Sequence, residues 1–177
     1  MIRILGIDPG LASTGYGIID ADGNRFAHVA DGVIETEAGS PVGERLLRLE
    51  DALAAVLTEF RPREAGIERL YFGRNATTAM PVAQARGVVL CALARARIPC
   101  HEYPPATVKQ AVVGKGRAEK GQVQEMIRLI FRLREAPAST HAADALAVAF
   151  CHSTHSRLGR LVAKEDGRAE HVQQPAR

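Results

Sequence analysis

An aspartate closes the first apolar stretch of the sequence, and this acid restricts how the chain is able to fold. Ile2, Ile4, Leu5 and Ile7 predict a buried strand that ends near Asp8. Because an unpaired buried charge is strongly unfavourable, Asp8 needs a basic side chain, backbone N–H groups or a metal ion nearby. The next segment is rich in Gly, Ser and Thr, which leaves two interpretations open. Either this loop holds a nucleotide phosphate, or Asp8 shares a divalent metal with carboxylates from elsewhere in the chain.

The segments after this strand predict antiparallel pairing first and parallel pairing later. Residues 15–20 and 25–36 indicate two strands joined by the turn 21–24, whose Ala-Asp-Gly-Asn sequence is typical of a hairpin. Residues 65–68 and 98–103 indicate two further strands that alternate with helical segments. The chain is therefore predicted to be an α/β protein. We expect a five-stranded mixed sheet, with three antiparallel and then two parallel strands, flanked by helices.

Helical spacing of apolar residues places the helices between and after these strands. The first is expected to begin at Ser40-Pro41, with Ser40 as the N-cap, and to end at Arg61-Pro62. The others are expected over about 78–97, 105–113, 123–130 and 139–155. Apolar periodicity is lost from residue 157 onward. We therefore expect one domain over 1–156 and a disordered C-terminal tail over 157–177.

Composition limits the class of protein. A chain of 177 residues with 46% hydrophobic content suits one domain. It has no run of eighteen apolar residues and no basic-then-apolar leader, so we expect neither a membrane span nor a signal peptide. Cys91, Cys100 and Cys151 match no zinc or disulfide spacing and are expected to be reduced thiols of a cytoplasmic protein.

Basic residues surround a glycine-bearing loop in the second half of the chain. Lys109, Lys115, Arg117 and Lys120 lie there with a single acid, Glu119. The net charge of +3 and the pI of about 9.0 permit a polyanionic partner. This segment is interpreted as a phosphate-facing patch, with an ordinary solvated face as the alternative.

Further acids are predicted to converge with Asp8. Glu68 ends another strand, and the carboxyl ends of adjacent parallel strands meet at one edge of a sheet. His141 and Asp144 are three residues apart at the start of the last helix and so share one face. Such ligands suit Mg²⁺ or Mn²⁺, and two such ions catalyse phosphodiester hydrolysis. Taken singly, Asp144 is also explained as a helix-start acid, and Glu68 as one half of an exposed pair with Arg69.

Several stretches resemble, in order, the RuvC family of bacterial Holliday junction resolvases, which belongs to the ribonuclease H-like superfamily. The resemblance extends over residues 2–152. It is carried by Gly6-Ile7-Asp8-Pro9-Gly10 with Thr14-Gly15-Tyr16-Gly17, Ile67-Glu68, Arg74-Asn75-Ala76, Gln84-Ala85-Arg86-Gly87, Val108-Lys109-Gln110 with Val113-Gly114, Ala118-Glu119-Lys120 and Ala142-Ala143-Asp144-Ala145-Leu146-Ala147.

The resemblance implies a ribonuclease H-like three-layer fold and a homodimeric, metal-dependent endonuclease. Such an enzyme binds four-way junction DNA and nicks two opposing strands of like polarity. It acts in recombination and repair with the branch-migration proteins RuvA and RuvB, in the cytoplasm and without a membrane. Its cofactor is expected to be Mg²⁺, two ions per site, with Mn²⁺ as a substitute.

The same resemblance assigns expected roles to the site residues. Asp8, Glu68 and Asp144 match the acidic metal ligands of the family. His141 falls where many members have another Asp and some have His, which leaves its role open between metal ligand, proton-transfer group and phosphate contact. Lys120 is expected to join these four as a catalytic residue, by positioning phosphate and stabilising charge in the transition state.

The remaining expected contacts are with DNA. Tyr71 falls where the family carries an aromatic residue implicated in junction recognition, and Phe72 beside it is the other candidate for stacking on a base. Arg74 and Asn75 follow in the same matching segment. The basic residues expected to contact DNA are Lys109, Lys115, Arg117 and Lys120.

In the expected mechanism, a metal held by Asp8 and Asp144, with His141 close by, orients and deprotonates the attacking water. A second metal between Asp8 and Glu68 stabilises the leaving 3′ oxygen, which yields 5′-phosphate and 3′-hydroxyl ends. Two other functions are the alternatives. A non-catalytic junction-binding protein could share the fold. An ATPase of the actin-like and sugar-kinase type would need a second domain, for which this chain is too short.

Overall fold

A computed structural model describes residues 1–70 and 76–172 of the chain. Its strands are β1 (Ile2–Asp8), β2 (Ser13–Asp22), β3 (Arg25–Glu35), β4 (Glu64–Glu68) and β5 (Cys100–Tyr103). Its helices are α1 (Val42–Phe60), α2 (Ala76–Arg95), α3 (Pro105–Val113), α4 (Lys120–Ile130) and α5 (Thr140–Val172). The five strands form one sheet in the order β3-β2-β1-β4-β5. The pairs β1–β2 and β2–β3 are antiparallel, whereas β1–β4 and β4–β5 are parallel, which confirms the predicted mixed sheet.

Local sequence explains how these elements begin and end. Asp22 pairs with Arg25 across a two-residue turn, in which Gly23 adopts a left-handed φ of 61°. The expected N-cap of α1 is wrong. Pro41 takes that position, and the Ser40 hydroxyl group instead lies 3.4 Å from the Glu37 carboxylate, to which it donates a hydrogen bond.

Residues alternate along each strand between two hydrophobic cores, one on each face of the sheet. Leu5 and Ile7 of β1 pack against α1 and α2, in a cluster that includes Leu53 and Val89. Ile4 points to the other face and joins α3, α4 and α5 in the second cluster. Helices therefore cover both faces of the sheet, and every even-numbered residue of β1, including Asp8, faces α5.

A row of glycines crosses the centre of the sheet beneath α5. Gly6 of β1 pairs with Gly17 on one side and with Gly66 on the other. A Cβ atom built on Gly6 would overlap the carbonyl oxygen of Ala145, and one on Gly17 would lie 2.8 Å from Leu146. The helix backbone thus rests directly on the backbone of the sheet, as the alanine-rich start of this helix predicts.

A buried set of hydrogen bonds, here called the polar bridge, joins the middle of α5 to strands β4 and β5. The His152 side chain is fully buried, and its ring nitrogens lie 2.8 Å from the Tyr103 hydroxyl group and 2.9 Å from the Glu64 carboxylate. Glu64 belongs to β4 and Tyr103 to β5. Polar groups in a core are stable when they are hydrogen-bonded in this way, so the bridge joins α5 to both strands.

The last helix is longer than expected. The sequence predicts that it ends near His155, but α5 continues to Val172. The predicted division into a domain over 1–156 and a tail over 157–177 stays a prediction. No proline occurs between residues 138 and 174, and Arg, Leu, Ala, Lys and Glu, all good helix formers, are frequent after residue 156. Loss of amphipathic periodicity is therefore a poor indicator of loss of helix. Within the described residues, no helix combines the length and apolar character that crossing a membrane requires.

The glycine row gives a direct test of this packing. We expect Gly6→Ala to lower the free energy of unfolding by about 1–3 kcal/mol or more, because the added methyl group overlaps helix backbone that has no space to move. Urea-induced unfolding followed by circular dichroism measures the change. Gly87→Ala is the matched control, since Gly87 lies exposed inside α2 with no atom near the position of a Cβ. Equal stabilities for the two variants would contradict the close contact between α5 and the sheet.

Candidate active site

Two strand-end acids lie side by side at one edge of the sheet. Ile7 of β1 is in register with Ile67 of the parallel neighbour β4, so Asp8 and Glu68 follow at the same level. Both belong to the set of strand positions that faces α5. The strands end here because Pro9 and Gly10 begin a loop after Asp8. Adjacent parallel strands therefore bring the two carboxylates together, as their sequence positions predict.

The N-terminal turn of α5 brings an imidazole and a third carboxylate to the same place. The Ser139 hydroxyl group accepts a hydrogen bond from the backbone N–H of His141 at 3.1 Å and so caps the helix. His141 Nδ1 lies 2.7 Å from Asp8 Oδ2, which joins the helix directly to the end of β1. Asp144 lies one turn further along α5, on the same side.

These side chains line one cavity of about 540 Å³. The predicted site residues found in its wall are Asp8, Glu68, Lys109, Lys120, His141 and Asp144. Lys115 and Arg117 lie in the loop between α3 and α4 and are not among the lining residues. The four aromatic and polar residues expected to contact DNA, Tyr71, Phe72, Arg74 and Asn75, lie outside the described residues.

Burial and neighbouring negative charge raise the pKa values of two acids of this cavity. The pKa of Glu68 is raised to about 7, first by its burial and then by the negative charges of Asp8 and Asp144. The pKa of Asp144 is also raised, by burial and by the charge of Asp8. Lys109 and Lys120 act in the opposite direction on both groups but do not cancel the effect. The cavity therefore holds partly buried carboxylates whose neighbouring lysines do not fully compensate for their burial.

Such a site fits a divalent metal ion. Carboxylate oxygens are the ligands that Mg²⁺ and Mn²⁺ prefer, and a bound cation would relieve the repulsion that raises these pKa values. In the described part of the chain, no three His, Cys, Asp or Glu side chains are close enough to form a ready set of metal ligands. The donor chemistry of Asp8, Glu68 and Asp144, which line the same cavity, is nevertheless of the kind that such an ion prefers.

The loop after Asp8 is closed by its own side chains. Thr14 is fully buried, and its hydroxyl group donates to the Gly10 carbonyl oxygen at 2.7 Å and accepts from the Gly10 N–H at 3.2 Å. Gly15, by contrast, lies in β2 beneath the backbone of His141 and takes no part in this turn. Because the turn uses its own polar groups, it is poorly suited to cradle a nucleotide phosphate. This geometry disfavours the ATPase interpretation.

Sequence reasoning assigned no role to several residues at this edge of the sheet. Val108 and Val123 form apolar walls of the cavity, and Arg69 lies beside Glu68 in its lining. Arg86 donates a hydrogen bond from Nη1 to the Glu68 carbonyl oxygen at 3.2 Å. Arg86 occurs in one of the matching motifs, but its partner lies 18 residues away, so no local spacing indicates the contact.

Comparison of the sequence with known families gives one match over most of the chain. The family model described as "Crossover junction endodeoxyribonuclease RuvC" matches residues 4–152. A protein of that name from Treponema denticola is 53% identical over 158 residues, which cover 89% of this chain and 89% of the relative. Another, from Acidiphilium cryptum, is 55% identical over 155 residues, which cover 86% of this chain and 91% of the relative.

Solved structures agree with the sequence comparison. The structure titled "T. thermophilus RuvC in complex with Holliday junction substrate" superposes with a TM-score of 0.85 at 36% identity, covering 90% of this chain and 97% of the other. The yeast mitochondrial Holliday junction resolvase Ydc2 superposes with a TM-score of 0.62 at 14% identity, covering 86% of this chain and 78% of the other, and shows the shared fold alone. The expected ribonuclease H-like fold is confirmed.

The raised pKa of Glu68 predicts that the ionised carboxylate of this residue destabilises the folded, metal-free protein. A carboxyl group whose pKa rises from 4.5 to about 7 on folding stabilises the folded state at low pH. That contribution is lost as the pH rises through 7. Glu68→Gln removes the charge, so at pH 8 with a chelator we expect the melting temperature to rise by about 2–6 °C. At pH 5 we expect little change.

Thermal unfolding at the two pH values measures this effect, and Glu125→Gln is the control. Glu125 is an exposed helix carboxylate paired with Arg128, so its loss relieves no burial. A melting temperature of Glu68→Gln that equals or falls below that of the unsubstituted protein at pH 8 would contradict the inferred repulsion.

Proposed function

The chain belongs to the RuvC family of crossover junction endodeoxyribonucleases, and we propose that it resolves Holliday junctions at the cavity formed by Asp8, Glu68, His141 and Asp144. The observation that carries the assignment of the site is the meeting of three acids from β1, β4 and α5 at one sheet edge, in a cavity with two lysines. The proposed reaction is metal-dependent hydrolysis of phosphodiester bonds in two opposing strands. It leaves 5′-phosphate and 3′-hydroxyl ends.

The proposed cofactor is Mg²⁺, two ions per site, with Mn²⁺ as a substitute. Asp8, Glu68 and Asp144 would hold the ions, which when bound supply Lewis-acid activation of water and stabilisation of the departing oxygen. The support for this proposal is the presence of three carboxylates in one cavity, together with the raised pKa values of Glu68 and Asp144.

The protein's own cations are proposed to hold the scissile phosphate. Lys109 and Lys120 line the same cavity as the acids, and their positive charges act on Glu68 and Asp144. A phosphate group entering the cavity would meet both ammonium groups, which fix its position and stabilise charge that develops in the transition state. Lys115 and Arg117, in the preceding loop, are proposed to contact the DNA backbone further from the reacting bond.

His141 is proposed to orient Asp8. Its Nδ1 is bonded to the Asp8 carboxylate, while its side chain remains 44% exposed at the cavity. The hydrogen bond fixes the rotation of the carboxylate, and the exposed ring is available to exchange a proton with substrate or solvent. An aspartate at this position, as in many members of the family, would place another negative charge beside Asp8. The cavity of this chain therefore carries one negative charge fewer than theirs.

A homodimer is proposed because two symmetric cuts require two sites related by a two-fold axis. In support, Val89 and Leu93 of α2 lie in the core while Met80 on the same helix is 61% exposed. Cooperation with RuvA and RuvB and a cytoplasmic location, where the DNA substrate lies, are proposed from membership of the family. The nuclease domain is proposed to span 1–156, which contains the matched residues 4–152.

Cleavage of a synthetic junction tests the proposed site. We expect the unsubstituted protein to cut a mobile four-way junction symmetrically in Mg²⁺ or Mn²⁺. Asp8→Asn should lower the cleavage rate by about 10³-fold, since a lost metal ligand removes several kcal/mol of charge stabilisation. Junction binding in a gel-shift assay should persist. Glu50→Gln, remote from the cavity on α1, is the control. Cleavage by Asp8→Asn at an unchanged rate would refute the assignment, whereas junction binding without any cutting by the unsubstituted protein would favour the non-catalytic alternative.

Replacement of the histidine tests its proposed role. We expect His141→Asp to remain active within about tenfold, because the added carboxylate would supply a further ligand of the kind that the ions prefer and so compensate for the lost hydrogen bond to Asp8. Its dependence on metal concentration and pH should change, since the variant carries one more negative charge and lacks the imidazole. Cleavage assays across pH 6–9 at several Mn²⁺ concentrations measure both. Complete loss of activity would show that the imidazole has a function that a carboxylate cannot replace.

A further inference from the structure

We propose that Arg86 of α2 is a positioning residue that holds the end of β4, and with it Glu68, in place for metal binding. This inference rests on the proposed function. Arg86 Nη1 donates to the Glu68 carbonyl oxygen at 3.2 Å, and Nη2 forms a close ion pair with Glu102 of β5. One guanidinium group thereby joins a helix to the ends of two adjacent strands.

Arg86 reaches Glu68 from α2 without lining the cavity, although Val82, one turn earlier on the same helix, does line it. The Glu68 side chain faces α5, whereas α2 packs on the other face, and Arg86 is not among the residues that line the cavity. Glu102, two residues after Cys100 on β5, shares the face on which Cys100 packs in the α1–α2 core. The guanidinium group therefore reaches the backbone of Glu68 from the side of the sheet that α2 covers. It is not part of the cavity wall.

The hydrogen bond from Arg86 holds the backbone of Glu68, and Arg86 is not among the groups that shift the pKa of the Glu68 carboxyl group. The four charged groups that shift the pKa of the Glu68 carboxyl group all line the cavity, and Arg86 is not one of them. The positive charge of Arg86 is balanced locally by Glu102, whose second oxygen lies 3.7 Å from Arg69 Nε. What Arg86 supplies to the site is a hydrogen bond to the backbone of a metal-binding residue.

Burial and geometry make arginine specific for this role. The Arg86 side chain is only 13% exposed, whereas Arg95, at the end of the same helix, is 78% exposed and pairs with Glu50 of α1. A planar guanidinium group presents several N–H donors in fixed directions, so it satisfies a carboxylate and a carbonyl group together. A lysine ammonium group at the same position would keep the charge but lose the fixed pair of directions.

The experiment compares Arg86→Lys with Arg95→Lys, which makes the same change on the same helix at an exposed ion pair. Titration calorimetry with Mn²⁺ on the DNA-free protein gives metal affinity without any activity. Cleavage of a four-way junction at increasing Mn²⁺ gives the half-maximal metal concentration, and a gel shift in chelator gives junction affinity. Glu102→Gln is included because it removes the countercharge while keeping Arg86 itself.

We expect Arg86→Lys to weaken Mn²⁺ binding by about 10–100-fold, as is typical when a residue that supports a metal ligand is replaced. The half-maximal metal concentration should rise in parallel, and junction affinity in chelator should stay within about twofold. Glu102→Gln should show a smaller loss than Arg86→Lys, and Arg95→Lys should show none.

Two results would overturn the inference. One is an unchanged Mn²⁺ affinity of Arg86→Lys, which together with a lower melting temperature would mark the contact as merely structural. The other is an equal loss of Mn²⁺ affinity in Arg95→Lys. Failure of the proposed function is recognised separately, because the unsubstituted protein would then bind the junction without cutting it in Mn²⁺.

Discussion

The direct contact between the backbone of α5 and the centre of the sheet determines where the chemistry of this protein takes place. Gly17, Gly6 and Gly66 leave a channel without side chains across β2, β1 and β4, and residues 145–152 of α5 lie on it. A helix held at this distance brings its first turn to the end of β1, so His141 reaches Asp8 at 2.7 Å. With ordinary side chains beneath it, the same helix would stand further from the sheet and the acids would not share one cavity.

This close packing places carboxylates near one another in a partly buried cavity, which raises the pKa values of Glu68 and Asp144. A pKa of about 7 for Glu68 means that the site is poorly satisfied by the protein alone. The ionised Glu68 carboxylate therefore lowers the stability of the folded protein at the site proposed to bind a metal ion. The two lysines of the cavity favour the charged forms of Glu68 and Asp144, but they do not outweigh burial and the neighbouring acids.

The features that follow from local patterns and from the pairing of parallel strands were predictable, whereas individual side-chain contacts between distant residues were not. Strand alternation and the hairpin turn predicted the sheet, and the position of Asp8 and Glu68 at strand ends predicted their meeting. The Arg86–Glu68 contact spans 18 residues and the His152–Glu64 contact spans 88, so no spacing in the sequence indicates either. The expected length of α5 was too short because helix propensity without an apolar face does not produce periodicity.

The polar bridge of His152 has a consequence for the orientation of the last helix. Close contact with the glycines of the sheet fixes the distance between α5 and the sheet. This contact alone does not fix the rotation of the helix about its own axis. Hydrogen bonds to Tyr103 and Glu64 are directional, and they fix that angle. Because His152 follows His141 by about three helical turns, it lies on nearly the same side of α5. The bridge thus fixes the rotation of α5 about its axis, and with it the direction in which the N-terminal turn that carries His141 faces the sheet.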